Sequence, residues 1–190
     1  MLQKFIPICK LKGEVQKAEE WKELVKVLRN NLNTNCWDGR WYRRAFTDNG
    51  KWIGSSENEE AKIDSIAQSW AIISKAGDND KKYICMEALD NYLVDRENEI
   101  IKLLTPAFEK SDLNPGYIQA YLPGIRENGG QYTHAALWAI WATTLLGFGD
   151  KAMEYYKFVN PIEHARTREL AKKYKVEPYV ICADMYGGNN

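Results

Sequence analysis

The sequence lacks most of the features that point directly to a function. Basic and acidic side chains balance at 26 each, so there is no basic field to hold a nucleic acid and no polybasic face to hold a membrane. The four cysteines, Cys9, Cys36, Cys85 and Cys182, are scattered and form no Cys-x-x-Cys pair. That excludes a zinc knuckle or a dithiol redox motif and leaves them as reduced packing residues. Histidine is scarce, with only His134 and His164, and neither it nor cysteine stands beside the acidic residues Glu57, Glu59 and Glu60. Those three read as a solvated face, and no metal or other cofactor is expected. No apolar run approaches the length of a membrane span. Met1-Leu2-Gln3-Lys4 leads only into the short run Phe5 to Cys9, which does not resemble a signal peptide, so the cytoplasm is the expected compartment.

What is present suits one domain. A chain of 190 residues can bury a sizeable core, and nothing in its composition marks a second domain or a disordered tract. Aromatic residues make up 12%, with seven Trp and eleven Tyr. Such rings fill a wide core, and they also stack against sugars. A neutral small molecule is the ligand class that fits the charge balance.

Apolar residues at Val15, Ala18, Trp21, Leu24, Val25, Leu28 and Leu32 have the three-and-four spacing of an amphipathic helix over 14–32. Over 36–53 the character changes: Trp37, Trp41, Tyr42 and Phe46 interleave with Asp38, Arg40, Arg43 and Arg44, and Asp48-Asn49-Gly50 is a tight-turn signal. This predicts an irregular hairpin or long loop, where the charged residues serve either an ion-pair network or sugar contact. Helices are expected over 64–75 and 80–94. The stretch 95–132 holds no helical period and carries Pro106, Pro115, Pro123 and four glycines, and a loop that long in a compact domain usually has a functional reason. Helices follow over 133–146, 150–159, 164–173 and 178–186, the last with Pro178 in its first turn. Leu137, Ile140, Trp141 and Leu145 are expected in the core.

The most informative segment is Arg126-Glu127-Asn128-Gly129-Gly130-Gln131-Tyr132-Thr133-His134, which runs into the apolar 133–146 helix. A helix N-terminus presents unpaired N–H groups and partial positive charge, and paired glycines let a backbone approach a ligand closely. The segment therefore reads as an anion and sugar site contacted by Glu127, Gln131 and His134. It reads equally as a capped helix, with Thr133 as N-cap and His134 as an ordinary first-turn residue.

Helical hairpins with a short turn at one end and a long polar, aromatic insertion at the other are how an α/α toroid is laid out, with the site on the loops at one mouth. The fold class expected is all-α, part of an (α/α)6 barrel. Twelve helices complete such a barrel, and the sequence accounts for about half of them.

The segments 37–45 (Trp-Asp-Gly-Arg-Trp-Tyr-Arg-Arg-Ala), 54–60, 63–70 (Ile-Asp-Ser-Ile-Ala-Gln-Ser-Trp), 115–118, 124–134 and 177–180 (Glu-Pro-Tyr-Val) together resemble glycoside hydrolase family 94. These are inverting phosphorylases of β-linked glucosides, formerly grouped with the glycosyltransferases. Within the family the Gly-Gln-Tyr-Thr-His-Ala detail is most similar to the phosphorylase domains of cyclic β-1,2-glucan synthases and 1,2-β-oligoglucan phosphorylases. The resemblance implies that inorganic phosphate, as co-substrate, attacks the anomeric carbon while an aspartic acid protonates the glycosidic oxygen. It assigns phosphate binding to His134 and the acceptor sugar to Glu127, with Gln131, Tyr117 and Arg126 as neighbours. The family's acid lies in a Gly-Asp-Trp-Asn-Asp-Gly-Met-type segment, and no such segment occurs here; Trp37-Asp38-Gly39 belongs to a different motif, and the acid role is not transferred to Asp38. The chain is thus expected to be a single partial catalytic domain over 1–190, with the N-terminal half of the barrel missing, inactive alone and prone to self-association through uncovered helix faces. The alternative is a non-catalytic glycan-binding or scaffold fragment. An unrelated toroid hydrolase would need two flanking carboxylates, and no convincing pair is present.

Overall fold

The computed structural model describes residues 1–187. Helices α1 (Leu2–Leu11) and α2 (Val15–Asn35) pack on each other across a turn at Gly13. Gly13 has a φ of 79°, a value at which a side chain would be strained. The run Phe5 to Cys9 lies within α1, although Pro7 inside it removes one helical hydrogen bond. Helix α2 is tied to the rest of the molecule by Asn33. Its Oδ1 accepts from Tyr42 Oη at 2.6 Å and from the Asp78 backbone N–H at 3.0 Å, and its Nδ2 donates to Ala76 O at 2.8 Å.

The aromatic stretch after α2 forms a hairpin, β1 (Ala45–Phe46) against β2 (Trp52–Ile53), closed through the Asp48-Asn49-Gly50 turn. Strand β3 (Ile63–Asp64) leads directly into α3 (Ser65–Ile73), and α4 (Asn79–Leu93) returns. The long stretch that follows is not one open loop. It holds β4 (Val94–Asp95) paired with β5 (Ile100–Ile101), β6 (Leu104–Thr105) paired back to β3, and a 3-10 turn at Gly116–Ala120. Strand β7 (Gln131–Tyr132) leads into α5 (Thr133–Leu145), and α6 (Gly149–Lys157) returns. The short α7 (Pro161–His164), α8 (Arg168–Tyr174) and β8 (Asp184–Met185) complete the described residues, β8 pairing with β7. Helices dominate, and four antiparallel pairs of two-residue strands tie the loops together. No helix among the described residues is long and apolar enough to cross a membrane.

Helix α3 packs on α5, and each carries its returning partner, α4 and α6. The main core lies between them and includes Ile72, Leu89, Leu93, Ala139, Tyr155 and Phe158. A smaller cluster of Ala61, Leu104, Phe108 and Leu113 sits beneath the loops. Because α5 is apolar on every side, its pattern does not select the inner face. The small residues Ala135, Ala136, Ala139 and Ala142 turn inward, where they let α3 approach closely, whereas Leu137, Trp141 and Leu145 are 44%, 48% and 51% exposed. Those three, expected in the core, form instead an outward stripe at four-residue spacing, and only Ile140 of that group packs partly against the core.

The expected helix over 178–186 is absent. That segment turns at Pro178-Tyr179, where Val180 N–H donates to Glu177 O at 2.9 Å, and then leads into β8, because pairing with β7 satisfies its backbone better than a helix with no core partner would. The helix expected over 164–173 starts later, at Arg168, with Thr167 as its cap: Leu170 N–H donates to Thr167 Oγ1 at 3.2 Å. His164 belongs to α7, where it is buried.

Candidate active site

Strands β3 and β7 each deliver a helix to the same place, so the N-termini of α3 and α5 open on one cavity of ≈ 530 Å³. Its wall includes Arg44, Asp64, Tyr117, Glu127, His134 and Trp138. Of the residues singled out in the sequence, Tyr117, Glu127 and His134 are brought together there. Arg126 and Gln131 are not.

Glu127 is half-buried. Its Oε1 accepts from Tyr117 Oη at 3.4 Å, and its Oε2 is buried without a hydrogen-bond partner. The neighbouring Glu127 charge comes first among the causes that push the Tyr117 phenol up from its ordinary value. His134 is exposed in the first turn of α5, and its ring lies 4.0 Å from that of Trp138, centroid to centroid. Thr133 does not cap the helix: its hydroxyl is buried and unpartnered, while its N–H donates to Ala183 O at 3.0 Å.

On the opposite wall Asp64 caps α3, its Oδ1 accepting from Ile66 N–H at 2.7 Å. Arg44 Nε reaches Asp64 Oδ2 at 3.4 Å. Burial pushes the Asp64 carboxyl up, against the opposing pull of the Arg44 guanidinium. The hairpin sets Arg44 in place, since Arg44 N–H donates to Ile53 O at 2.8 Å and a Cβ on Gly54 would stand 2.7 Å from that nitrogen.

Three expectations are corrected by these contacts. Gln131 is fully buried, and its amide is spent on the scaffold: Oε1 accepts from Ile101 N–H at 2.7 Å, and Nε2 donates to Phe158 O at 3.3 Å. It cannot also meet a sugar. The paired glycines serve chain packing, because a Cβ on Gly129 would come within 3.0 Å of Ala107 Cβ and one on Gly130 within 2.8 Å of Gly124 O. Arg126 lies outside the cavity, its guanidinium over the Tyr121 ring at 5.4 Å.

The charged residues of 38–44 also form no shared network. Burial opposes the Asp38 charge, but N–H groups of Ser56, Trp41 and Arg40 outweigh it and hold that carboxyl below its ordinary value. Arg43 lies over Trp52 at 4.7 Å. Nor is Glu60 a solvated face residue: it accepts N–H bonds from Glu109, Lys110 and Ser111 at 2.9–3.0 Å. Reasoning from the sequence missed Asn128, which is fully buried and joins Phe108 N–H, Phe108 O and Tyr121 O. Its place between Glu127 and the glycines was the one available signal.

The description "Glycosyl hydrolase 94 superfamily, catalytic domain" matches residues 1–190. The chain is 41% identical over 186 residues to the cyclic beta-(1,2)-glucan synthase NdvB of Rhizobium meliloti (strain 1021), a match that covers 98% of this chain and 7% of that protein. It is 30% identical over 180 residues to the N,N'-diacetylchitobiose phosphorylase of Vibrio proteolyticus, covering 94% of this chain and 22% of the relative. Identity is 31% over 153 residues with the 3-O-beta-D-glucopyranosyl-beta-D-glucuronide phosphorylase of Paenibacillus borealis, covering 80% and 20%. The chain thus spans less than a quarter of the length of these relatives, and it belongs to the glycosyl hydrolase 94 superfamily.

Proposed function

We propose that this chain contributes the phosphate and acceptor-sugar walls of an inverting phosphorylase of β-linked glucans, with α3 to α6 as part of an (α/α)6 barrel. The observation that carries this reading is the pair of unspent polar groups on one cavity: the buried, unpartnered Glu127 Oε2 and the exposed ring of His134. A buried carboxylate oxygen without a partner calls for a donor, and a sugar hydroxyl supplies one. An imidazole in the first turn of a helix, where unpaired N–H groups gather, suits an anion. In phosphorolysis the phosphate oxygen forms the new bond to the anomeric carbon, the glycosidic C–O bond breaks, and the leaving oxygen takes a proton from a general acid. Here His134 holds the nucleophile and Glu127, aligned by Tyr117, holds the acceptor sugar. The acid comes from a segment that this sequence does not contain, and the protein working with inorganic phosphate and a β-glucan oligosaccharide is a soluble, cytoplasmic one in this reading.

The test is release of glucose 1-phosphate from β-1,2-glucooligosaccharides by an intact phosphorylase that includes residues 1–190. His134→Ala should lower phosphorolysis about 10²-fold, mainly as weakened use of phosphate; an unaltered dependence on phosphate concentration would remove His134 from the role. The 190 residues alone should release no glucose 1-phosphate, since positioned acid catalysis contributes about 10²–10⁴-fold. Robust turnover would mean that a carboxylate within them, Glu127 or Asp38, is the acid. Sugar binding by the chain, with no turnover even when a catalytic half is supplied, would favour a glycan-binding fragment instead.

A further inference from the structure

We propose that Trp138 is the positioning residue of His134: its indole, packed against the imidazole, sets the plane of that ring and leaves both ring nitrogens to the ligand. The inference rests on the reading of His134 as the phosphate ligand. Histidines that hold an anion or a metal are usually oriented by a hydrogen bond to the second nitrogen. Among the described residues the His134 ring makes no hydrogen bond, whereas His164 bonds Phe158 O through Nε2 at 2.8 Å. What His134 has instead is Trp138, with centroids 4.0 Å apart and planes inclined at 54°. The two residues are four apart on α5, so they share a face, and the N-terminal tilt of helical side chains brings the indole over the turn that carries His134.

Trp138 is itself braced. Trp70 meets it edge-on, with centroids 5.2 Å apart and planes at 79°. Each is the sixth residue of its helix, α5 from Thr133 and α3 from Ser65. The two helices start at the same cavity, so the two tryptophans stand at the same level on facing helices, with Trp138 in the cavity wall. A chain of rings therefore runs from α3 through Trp70 and Trp138 to His134. Ring contacts of this kind fix orientation without using the nitrogens.

With two histidines in the chain, isotopic labelling of histidine gives two ring signals in the NMR spectrum of the 190-residue protein, and His134→Gln shows which is which. In the wild type the His134 ring protons should show NOEs to the Trp138 indole and a ring-current displacement from it. Trp138→Leu should remove that displacement without moving the His164 signals. The same variant should weaken inorganic phosphate, titrated against the His134 signal, by about three- to ten-fold. Trp138→Phe should restore most of both effects, which a role in core filling alone would not predict. Absent wild-type NOEs, or a His134 signal that Trp138→Leu leaves in place, would overturn the proposal. A wild-type His134 signal that ignores phosphate, beside intact NOEs to Trp138, would sink the phosphate reading and leave the ring placement standing.

Discussion

Glu127 and Gln131 stand in one short segment and have opposite fates. The Gln131 side chain points into the scaffold, where Ile101 N–H and Phe158 O use its amide, while Glu127 keeps a carboxylate oxygen free at the cavity. Their places in the chain decide this: Glu127 lies in the turn that closes the Ile125–Asn128 bridge, whereas Gln131 opens strand β7. Replacing Gln131 by Ala leaves the buried Ile101 N–H without its partner, whereas Phe158 O keeps His164 Nε2, so it should lower stability by about 2 kcal/mol. Urea denaturation reads that loss. Tyr117 is 65% exposed, and Tyr117→Phe should leave stability within about 0.5 kcal/mol while weakening sugar binding. A Gln131→Ala protein as stable as the wild type would show that its amide is not a structural clamp.

Helices α4 and α6 are held by one carboxylate. Asp90 on α4 accepts from Tyr155 Oη at 2.7 Å and Lys151 Nζ at 2.7 Å on α6, and from Arg96 Nη2 at 2.6 Å. Its side chain is 14% exposed. Burial alone would push the Asp90 carboxyl up, but the three donors outweigh it and hold it below the usual carboxylate value. Its folded value lies below the unfolded one, so the stability it contributes is fully present above about 3.9, the ordinary Asp value, and is lost as pH falls through the folded value. Asp90→Ala should therefore cost about 2–3 kcal/mol near neutral pH. The gap to the wild type should narrow as the solution is acidified below pH ~4, as thermal melts of both proteins across pH can measure. A gap that stays constant into acid would mean that packing, not charge, unites the two helices.

Among the described residues, apolar side chains remain uncovered on several helices. Leu137, Trp141 and Leu145 make a stripe along α5, and Phe5, Ile8, Leu24 and Leu28 lie 42–52% exposed on α1 and α2. Uncovered apolar surface of this kind drives association. In sedimentation velocity the chain should self-associate as its concentration rises, and Leu137→Glu with Trp141→Glu should weaken that association. A wild-type protein that stays monomeric throughout would show that these stripes are no interface between copies.

The periodicity of 14–32 and the turn signal at Asp48-Asn49-Gly50 were legible because helices and tight turns are dictated by neighbours in sequence. The motif order carried the family for the same reason, since it needs no coordinates. Tertiary structure alone decided three things. It chose the alanine face of α5 for the core, because a helix apolar all round offers no local preference and close approach to α3 favours small side chains. It turned 178–186 into a partner for β7, since strand pairing between residues more than fifty apart leaves no local trace. And it divided the Arg126 to His134 segment into scaffold and cavity wall, because only the packed molecule shows that Asn128, Gly130 and Gln131 are used up by backbone groups while Glu127 and His134 face the cavity.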